Sequence, residues 1–558
     1  MPTFLEHLAA QAAYLHARRV HARFLHALDH VEHEQQRVLD RVLALTADSD
    51  FGHRHDLRRV RTADDLKRAL PLLTYEDYRP YVDRLCDGDT GALFSAGQRI
   101  LMFATSSGTT ALPKRIPVTP QFVRDYRRGW NIFGLKMLAD HPRAILRPIL
   151  QASGRYDAAF TPAGIPCGAI TGLLARTQKR IVRRFYVGRP EVAHLDDAQA
   201  RYYTLMRLGI SRDVAFAVTA NPATLIQMAK TADDHSETLI RDVRDGTLSD
   251  RLVSDSRLRQ RLSARLKPDP VRAAELTQLR SRHEHLRPRD YWRLGFLACW
   301  TGGSLGHYLQ RLADWWGPLP VRDVGLLASE GRVSLPLEDD TPAGVLDVTS
   351  AVFEFIRLEE ADSPTPDTLV PRQLEVGRDY VVVLTNAAGL LRYRLDDVVR
   401  VRGWLAQTPL VEFLHRAGRV ASVAGEKLTE NQAVAAVKAA SRQLGIPEFD
   451  FLLVPRWADP PFYRLWCAGH PSEALPTALD EALAAQNEEY ASRRKSNRLG
   501  RLTVSVLPPD ALADLDRRLM VNRRATAEQY KRPCLLTTPD ADDDLLAFDR
   551  PVAPNFPS

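Results

Sequence analysis

The chain has 558 residues, 45% of them hydrophobic and 26% charged, with a formal net charge of +7 at pH 7. This is the composition of an ordinary soluble globular protein, long enough for several cores. The positive balance does not point to nucleic acid, because basic residues are interleaved with acidic ones and the densest cluster, Lys179-Arg180 with Arg183-Arg184, has no aromatic platform around it. Five cysteines, Cys86, Cys167, Cys299, Cys467 and Cys534, lie far apart without a C-x-x-C pair, which fits a reducing compartment and no structural zinc. No stretch reaches the roughly 18 apolar residues of a membrane span. A cytoplasmic protein with no membrane or nucleic-acid partner, acting as a monomer, is therefore expected.

In chain order, apolar residues at helical spacing predict one long or two shorter helices over 4–45, ending at Ala47-Asp48-Ser49-Asp50. Asp50 to His53 reads as a turn, Thr62 as an N-cap, and 71–80 as an irregular connector between prolines. Apolar residues from Ile100 lead into Thr105-Ser106-Ser107-Gly108-Thr109-Thr110-Ala111-Leu112-Pro113-Lys114, a strand feeding a hydroxyl-rich loop. Thr119-Pro120 then offers an N-cap and a first-turn proline, and Phe122, Tyr126, Trp130 and Phe133 form one aromatic helix face. That face is either core or one wall of a pocket for an apolar acid, with Phe122 and Tyr126 the candidate substrate contacts.

Further on, helix and strand alternate: Arg201 to Leu208, Val214 to Val218, a helix from Asn221-Pro222, surface helices over 236–290, and a strand Phe296 to Trp300 running into Thr301-Gly302-Gly303-Ser304. This is the grammar of an α/β domain. Val324 to Ala328 reads as a strand ending in Ser329-Glu330, and the β-rich pieces from 352 to 399 suggest a small β-barrel or second sheet. From about residue 421 two helices and several strands make a separate α+β domain. The expected organisation is thus α/β, with a large N-terminal domain over 1–420, a mobile α+β domain over 421–538 and a disordered tail over 539–558.

The loop from Ser106 to Lys114 carries the first chemical signal. Small residues let backbone N–H groups approach phosphate oxygens, hydroxyls share those oxygens or a metal, and a lysine spreads the charge. The G-x-x-x-x-G-K-[ST] spacing is absent, so this is no Walker A loop, and an ordinary Ser/Thr/Gly surface loop is the alternative.

Three separated segments resemble the adenylate-forming enzymes, and more closely the Gretchen Hagen 3 family of acyl-acid amido synthetases, known from plants and with bacterial relatives. Ser106-Ser107-Gly108-Thr109-Thr110 through Pro117 is similar to the family's phosphate-binding segment. Leu327-Ala328-Ser329-Glu330 resembles its Ser-Glu motif, and Gly389 through Val399 its G-L-x-R-Y-R-x-G-D-V-V segment. Asp50-Phe51-Gly52, Pro71 to Tyr78, Trp300 to Ser304, Phe353 to Ile356, Gly425 to Glu430 and Gln529 to Pro533 follow in the family's order.

The resemblance implies ATP-dependent activation of a small carboxylic acid and its transfer to an amino acid or other amine, with ATP and Mg²⁺ required. It implies that Ser106, Ser107, Gly108, Thr109 and Thr110 hold the β- and γ-phosphates, that Ser329 and Glu330 lie at the nucleotide, and that Glu330 helps bind Mg²⁺. Asp397 is expected at the ribose, Arg416 at the nucleotide, and Lys427 and Lys531 at the α-phosphate, with a hinge at Gly418-Arg419. Ala111, Leu326 and Asp396 depart from the family pattern, where glycine, an aromatic residue and glycine are common. Two alternatives remain: an acyl-coenzyme A ligase sharing the first half-reaction, and a non-catalytic nucleotide-binding relative.

Overall fold

The computed structural model describes residues 4–105, 114–303, 308–361, 363–417, 420–424, 426–468, 472–495, 498–508, 511–522, 532–542, 545 and 550–551, with backbone only at 4–14, 16–17, 180–181, 518–522 and 550–551. The expected hinge, Gly418-Arg419, lies outside the described residues. The chain divides into two compact units, a larger one up to Leu395 with 399–413, and a smaller one comprising 396–398 and the described residues from Leu414 onward.

Three sheets organise the larger unit. In the first, Met102–Thr105 lies between Arg115–Val118, antiparallel, and Pro166–Gly168, parallel, with Ala159–Phe160 outside. The second is wholly parallel, in the order Ile149–Gln151, Phe216–Val218, Phe296–Ala298, Val321–Arg322. Six strands make the third, ordered Ser334–Leu335, Gly344–Leu346, Thr408–Arg416, Tyr393–Leu405, Asp379–Asn386, Ala351–Arg357. Its β-branched run Val381 to Val383 is buried on both faces, and Val382 joins Phe103, Ile116, Phe122 and Tyr126 in one core. A second core gathers the helices Ala198–Ile210, Pro222–Asp234 and Tyr308–Trp316 around Tyr203, Met228 and Trp316. In the smaller unit, Phe451–Arg456, Phe462–Ala468, Thr503–Leu507 and Arg550–Pro551 form a mixed sheet whose core takes in the helices Glu430–Leu444 and Leu475–Gln486. Among the described residues all five cysteines are free and buried, and no helix is long and apolar enough to cross a membrane.

Local chemistry explains where the elements start. Thr62 and Asp65 form the capping box of Ala63–Ala69, Asn221 caps Pro222–Asp234, and the Thr119 hydroxyl accepts from the Phe122 amide 3.1 Å away at the head of Pro120–Asp140. The N-terminal run is two helices, Phe4–Asp29 and Val31–Thr46.

Three expectations give way. Asp50–Arg54 is helical because Ser49 caps it, its hydroxyl accepting from the Gly52 amide at 2.9 Å. The supposed connector contains the start of Tyr75–Cys86, where the Asp77 carboxylate accepts from the Thr74 amide at 2.7 Å and Pro80 is carried inside the helix. Val324 to Ala328 contributes only the short strand Leu327–Ala328. Within 539–558, Asp542, 1% exposed, accepts from Arg456 Nη1 and Trp466 Nε1, each at 2.5 Å.

The turn before Tyr393–Leu405 shows why glycine sits at its centre. Gly389 has φ +78°, and a Cβ there would lie 2.8 Å from Phe94 Cζ and 3.0 Å from Leu93 Cδ2. Gly389→Ala combines left-handed strain with overpacking and is expected to destabilise the larger unit by about 3 kcal/mol. The check is the thermal denaturation midpoint; a wild-type value would mean that the turn relaxes.

Candidate functional site

In the larger unit the site is built where the first sheet meets the Ser-Glu hairpin. Thr105 and Arg115 are register partners, so the two ends of the hydroxyl-rich segment leave the sheet side by side. Ser106, Ser107, Gly108, Thr109, Thr110 and Ala111 lie outside the described residues. Lys114, at the far root, is described. Its Nζ donates to the Tyr393 hydroxyl at 3.1 Å and stands 5.7 Å from the ring centres of both Tyr75 and Tyr393.

Ser329 and Glu330 are the two turn residues of a tight hairpin in which Leu327–Ala328 pairs with Gly331–Arg332, Ala328 opposite Gly331. The Ser329 hydroxyl donates to the Thr105 carbonyl at 3.3 Å, tying the turn to the near root of the segment. Asn386 Nδ2 donates to the Glu330 carbonyl at 2.6 Å, and the Tyr393 hydroxyl donates to the Glu330 carboxylate at 3.3 Å. Glu330 is 1% exposed, and that long phenol contact is its one carboxylate hydrogen bond among the described residues. A buried carboxylate accepts at about four lone-pair positions, so this one has capacity for a cation.

The hairpin's base is clamped to the helix Pro120–Asp140. Buried Arg332 places its guanidinium 5.6 Å from the Tyr126 ring centre and 4.7 Å from that of Trp130, in a notch where Gly129 has no side chain. Phe122 and Tyr126, each 4% exposed, sit with ring centres 6.0 Å apart inside the main core.

In the smaller unit, the buried Asp397 carboxylate accepts from Arg416 Nε at 3.1 Å. Asp396 before it has φ +63°, and its carbonyl accepts from the Ala417 amide at 2.6 Å. Lys427 also lies in the left-handed region, at φ +49°, with its side chain exposed. Lys531 lies outside the described residues; the neighbouring Arg532 is paired with Asp516 at 2.5 Å.

This geometry belongs to a chain whose three parts each match a known domain: residues 20–321 the GH3 family N-terminal domain, 344–416 the GH3 family central domain and 431–540 the GH3 family C-terminal domain. The chain belongs to the GH3 family. It is 28% identical over 546 residues to the jasmonoyl–L-amino acid synthetase GH3.5 of Oryza sativa subsp. japonica, covering 89% of this chain and 91% of that protein. It is 25% identical over 548 residues to the indole-3-acetic acid-amido synthetase GH3.5 of Arabidopsis thaliana, with 89% and 88% covered. Its fold matches the solved GH3.15 acyl acid amido synthetase with a TM-score of 0.83 at 21% identity, over 95% of this chain and 96% of that one.

The GH3 pattern explains one departure. The position before Asp397 is left-handed, which glycine adopts freely and aspartate tolerates better than most residues, so Asp396 holds this backbone at a small cost. Asp396→Gly in this GH3 chain is expected to raise stability by roughly 0.5 to 1 kcal/mol. A lower denaturation midpoint would mean that the Asp396 side chain holds the turn.

Tyr393, Asn386 and Asp323 escaped the sequence reading. Asp323 is buried where two strands of the parallel sheet end. Its carboxylate accepts from the Thr301 amide at 2.6 Å, the Thr301 hydroxyl at 2.7 Å and the Gly325 amide at 2.6 Å, fixing the glycine turn against the approach to the Ser-Glu hairpin. Burial raises its pKa and those donors lower it. The one signal for Tyr393 was its place in Arg392-Tyr393-Arg394; nothing local marked Asn386 or Asp323.

Proposed function

We propose that the chain is an ATP-dependent acyl acid amido synthetase. It activates a small carboxylic acid as the acyl-adenylate, releasing pyrophosphate, and passes the acyl group to an amine, with an amino acid as the acceptor. The observation that carries this reading is the match to all three GH3 domains in order, joined to full-length relatives named as amido synthetases.

A carboxylate is a poor electrophile because its charge repels nucleophiles and oxide does not leave. Attack on the α-phosphorus of ATP converts that oxygen into part of AMP, a good leaving group. The protein's task is alignment and charge neutralisation. Ser106, Ser107, Thr109 and Thr110, with Gly108 for close backbone approach, take the β- and γ-phosphates, and Lys114 and Ser329 stand at the two roots of that segment. Glu330 fits a Mg²⁺ site because its buried carboxylate is steered by Tyr393 yet, among the described residues, mostly unspent. The ion, when bound, offsets triphosphate charge. Asp397 accepts from the ribose hydroxyls, oriented by Arg416, which also faces the nucleotide. Lys427 and Lys531 supply cations to the α-phosphate from the C-terminal domain, 421–538, while 1–420 carries the ATP and acid sites. Phe122 and Tyr126 form the buried floor of the acid pocket, which supports an apolar acid.

The test crosses a panel of carboxylic acids with the amino acids in the presence of ATP and Mg²⁺ and reads products by mass. An amide formed only when both partners are present supports the reading. A coenzyme A thioester in its place, or no acid-dependent ATP–pyrophosphate exchange with any acid, overturns it.

A further inference from the structure

We propose that Asn487 is the positioning residue for Lys427, acting on the reaction wholly through that lysine; this rests on the reading above in which Lys427 meets the α-phosphate. A residue with a Cβ is strained in the left-handed conformation, because its Cβ crowds the following carbonyl oxygen, and needs a restraint to stay there. Lys427 nonetheless lies at φ +49° with an exposed side chain.

The restraint comes from beneath. Glu426 is fully buried, and its carboxylate accepts from the Val423 amide at 2.9 Å, from the Ala424 amide at 2.8 Å and from the Tyr463 hydroxyl. These bonds fix the chain entering Lys427. On its own side, the Asn487 amide nitrogen donates to the Glu426 carbonyl at 3.0 Å and reaches the Lys427 carbonyl at 3.4 Å. Two successive carbonyls, on either side of the left-handed Lys427 Cα, thus turn toward one donor. The same nitrogen lies 3.1 Å from Gln432 Oε1, and Gln432 closes the capping box of Glu430–Leu444 with Thr429. Asn487 Oδ1 accepts from the Tyr490 amide at 2.8 Å, heading the helix Glu488–Lys495 and fixing which way its amide points. Arg493, from that helix, donates to the Ala424 carbonyl at 2.9 Å. The lysine is therefore an exposed cation on a buried, hydrogen-bonded pedestal whose keystone is the 7%-exposed Asn487.

Asn487→Ser separates its two jobs. Serine caps a helix about as well as asparagine, but it is too short to reach both carbonyls. The full-length chain is assayed by ATP–pyrophosphate exchange with whichever of benzoate, indole-3-acetate, jasmonate and decanoate the wild type turns over fastest. Asn487→Ser is expected to melt within a few degrees of the wild type and to keep its KM for ATP within about twofold, while the exchange rate falls about tenfold through misplacement of one cation. Lys427→Ala is expected to fall further, and Asn487→Ser combined with Lys427→Ala to be no slower than Lys427→Ala alone. Wild-type exchange by Asn487→Ser, or losses that multiply in the double variant, overturns the proposal and leaves the Lys427 assignment standing. Wild-type exchange by Lys427→Ala removes that assignment and the proposal with it. No exchange by the wild type with any of the four acids defeats the adenylation reading itself, and the proposal falls with it.

Discussion

Glu330→Gln is expected to slow acid-dependent ATP–pyrophosphate exchange by about a thousandfold, roughly 4 kcal/mol of transition-state stabilisation, without loss of the fold. The amide keeps the size of the side chain and still offers an oxygen to the Tyr393 hydroxyl, and the Asn386 contact is to the backbone carbonyl and is untouched. What disappears is the negative charge at the tip of the Ser-Glu turn. Removing a charge from a site 1% exposed carries no desolvation penalty, so the denaturation midpoint should hold or rise. The loss should be accompanied by a higher Mg²⁺ requirement, read as the metal concentration for half-maximal exchange. A rate within tenfold of the wild type at ordinary Mg²⁺ would remove Glu330 from the metal site.

What the sequence made legible was local. Thr62, Thr119-Pro120 and Asn221-Pro222 announced their helices because a cap is decided within four residues. Asp50 to His53 and the stretch before Pro80 were misjudged because glycine and proline outweighed the caps Ser49 and Thr74 directly upstream. The aromatic spacing from Phe122 to Phe133 identified one helix face correctly; spacing does not tell a core from a pocket wall, and Phe122 and Tyr126 join the core while, on the proposed reading, backing the acid pocket. The candidate site was legible as motifs but not as an arrangement. The partners of Glu330 lie 56 and 63 residues away in sequence, at Asn386 and Tyr393, and Asp323 is separated by 22 residues from Thr301. The burial of Asp542 was invisible for the same reason: the residues it accepts from, Trp466 and Arg456, are 76 and 86 positions upstream.

Arg392 shows how a motif residue can serve the fold rather than the nucleotide, and Arg392→Met is expected to cost about 4 kcal/mol of stability. It stands beside Tyr393 in the segment most similar to the family pattern, but its guanidinium turns inward. Nε donates to Glu354 Oε1 and Oε2 at 3.2 and 3.0 Å, Nη2 to Oε1 at 2.9 Å, and Nη1 to the Leu70 carbonyl at 2.6 Å. The two side chains are only 5% and 12% exposed, so methionine would leave Glu354 charged, buried and unpaired, with the Leu70 carbonyl short of its donor. Methionine fills much of the same volume and, like arginine, carries a Cβ at the left-handed φ of +45°, so packing and backbone strain change little. The loss is therefore assignable to the broken pair, and Glu354→Gln in the same chain should recover part of it, because a neutral partner no longer demands a cation. The measurement is the urea midpoint of the single and double variants beside KM for ATP at a temperature where both are folded. A midpoint unchanged by Arg392→Met together with a tenfold rise in KM for ATP would place Arg392 at the nucleotide instead. The contacts with Glu354, Leu70 and Thr368 Oγ1, 3.2 Å from Nη2, leave the guanidinium committed to joining the second turn of the motif to the strand Ala351–Arg357 and the segment after Ala63–Ala69. That brace holds Tyr393, the next residue, where its hydroxyl lies between Lys114 and Glu330.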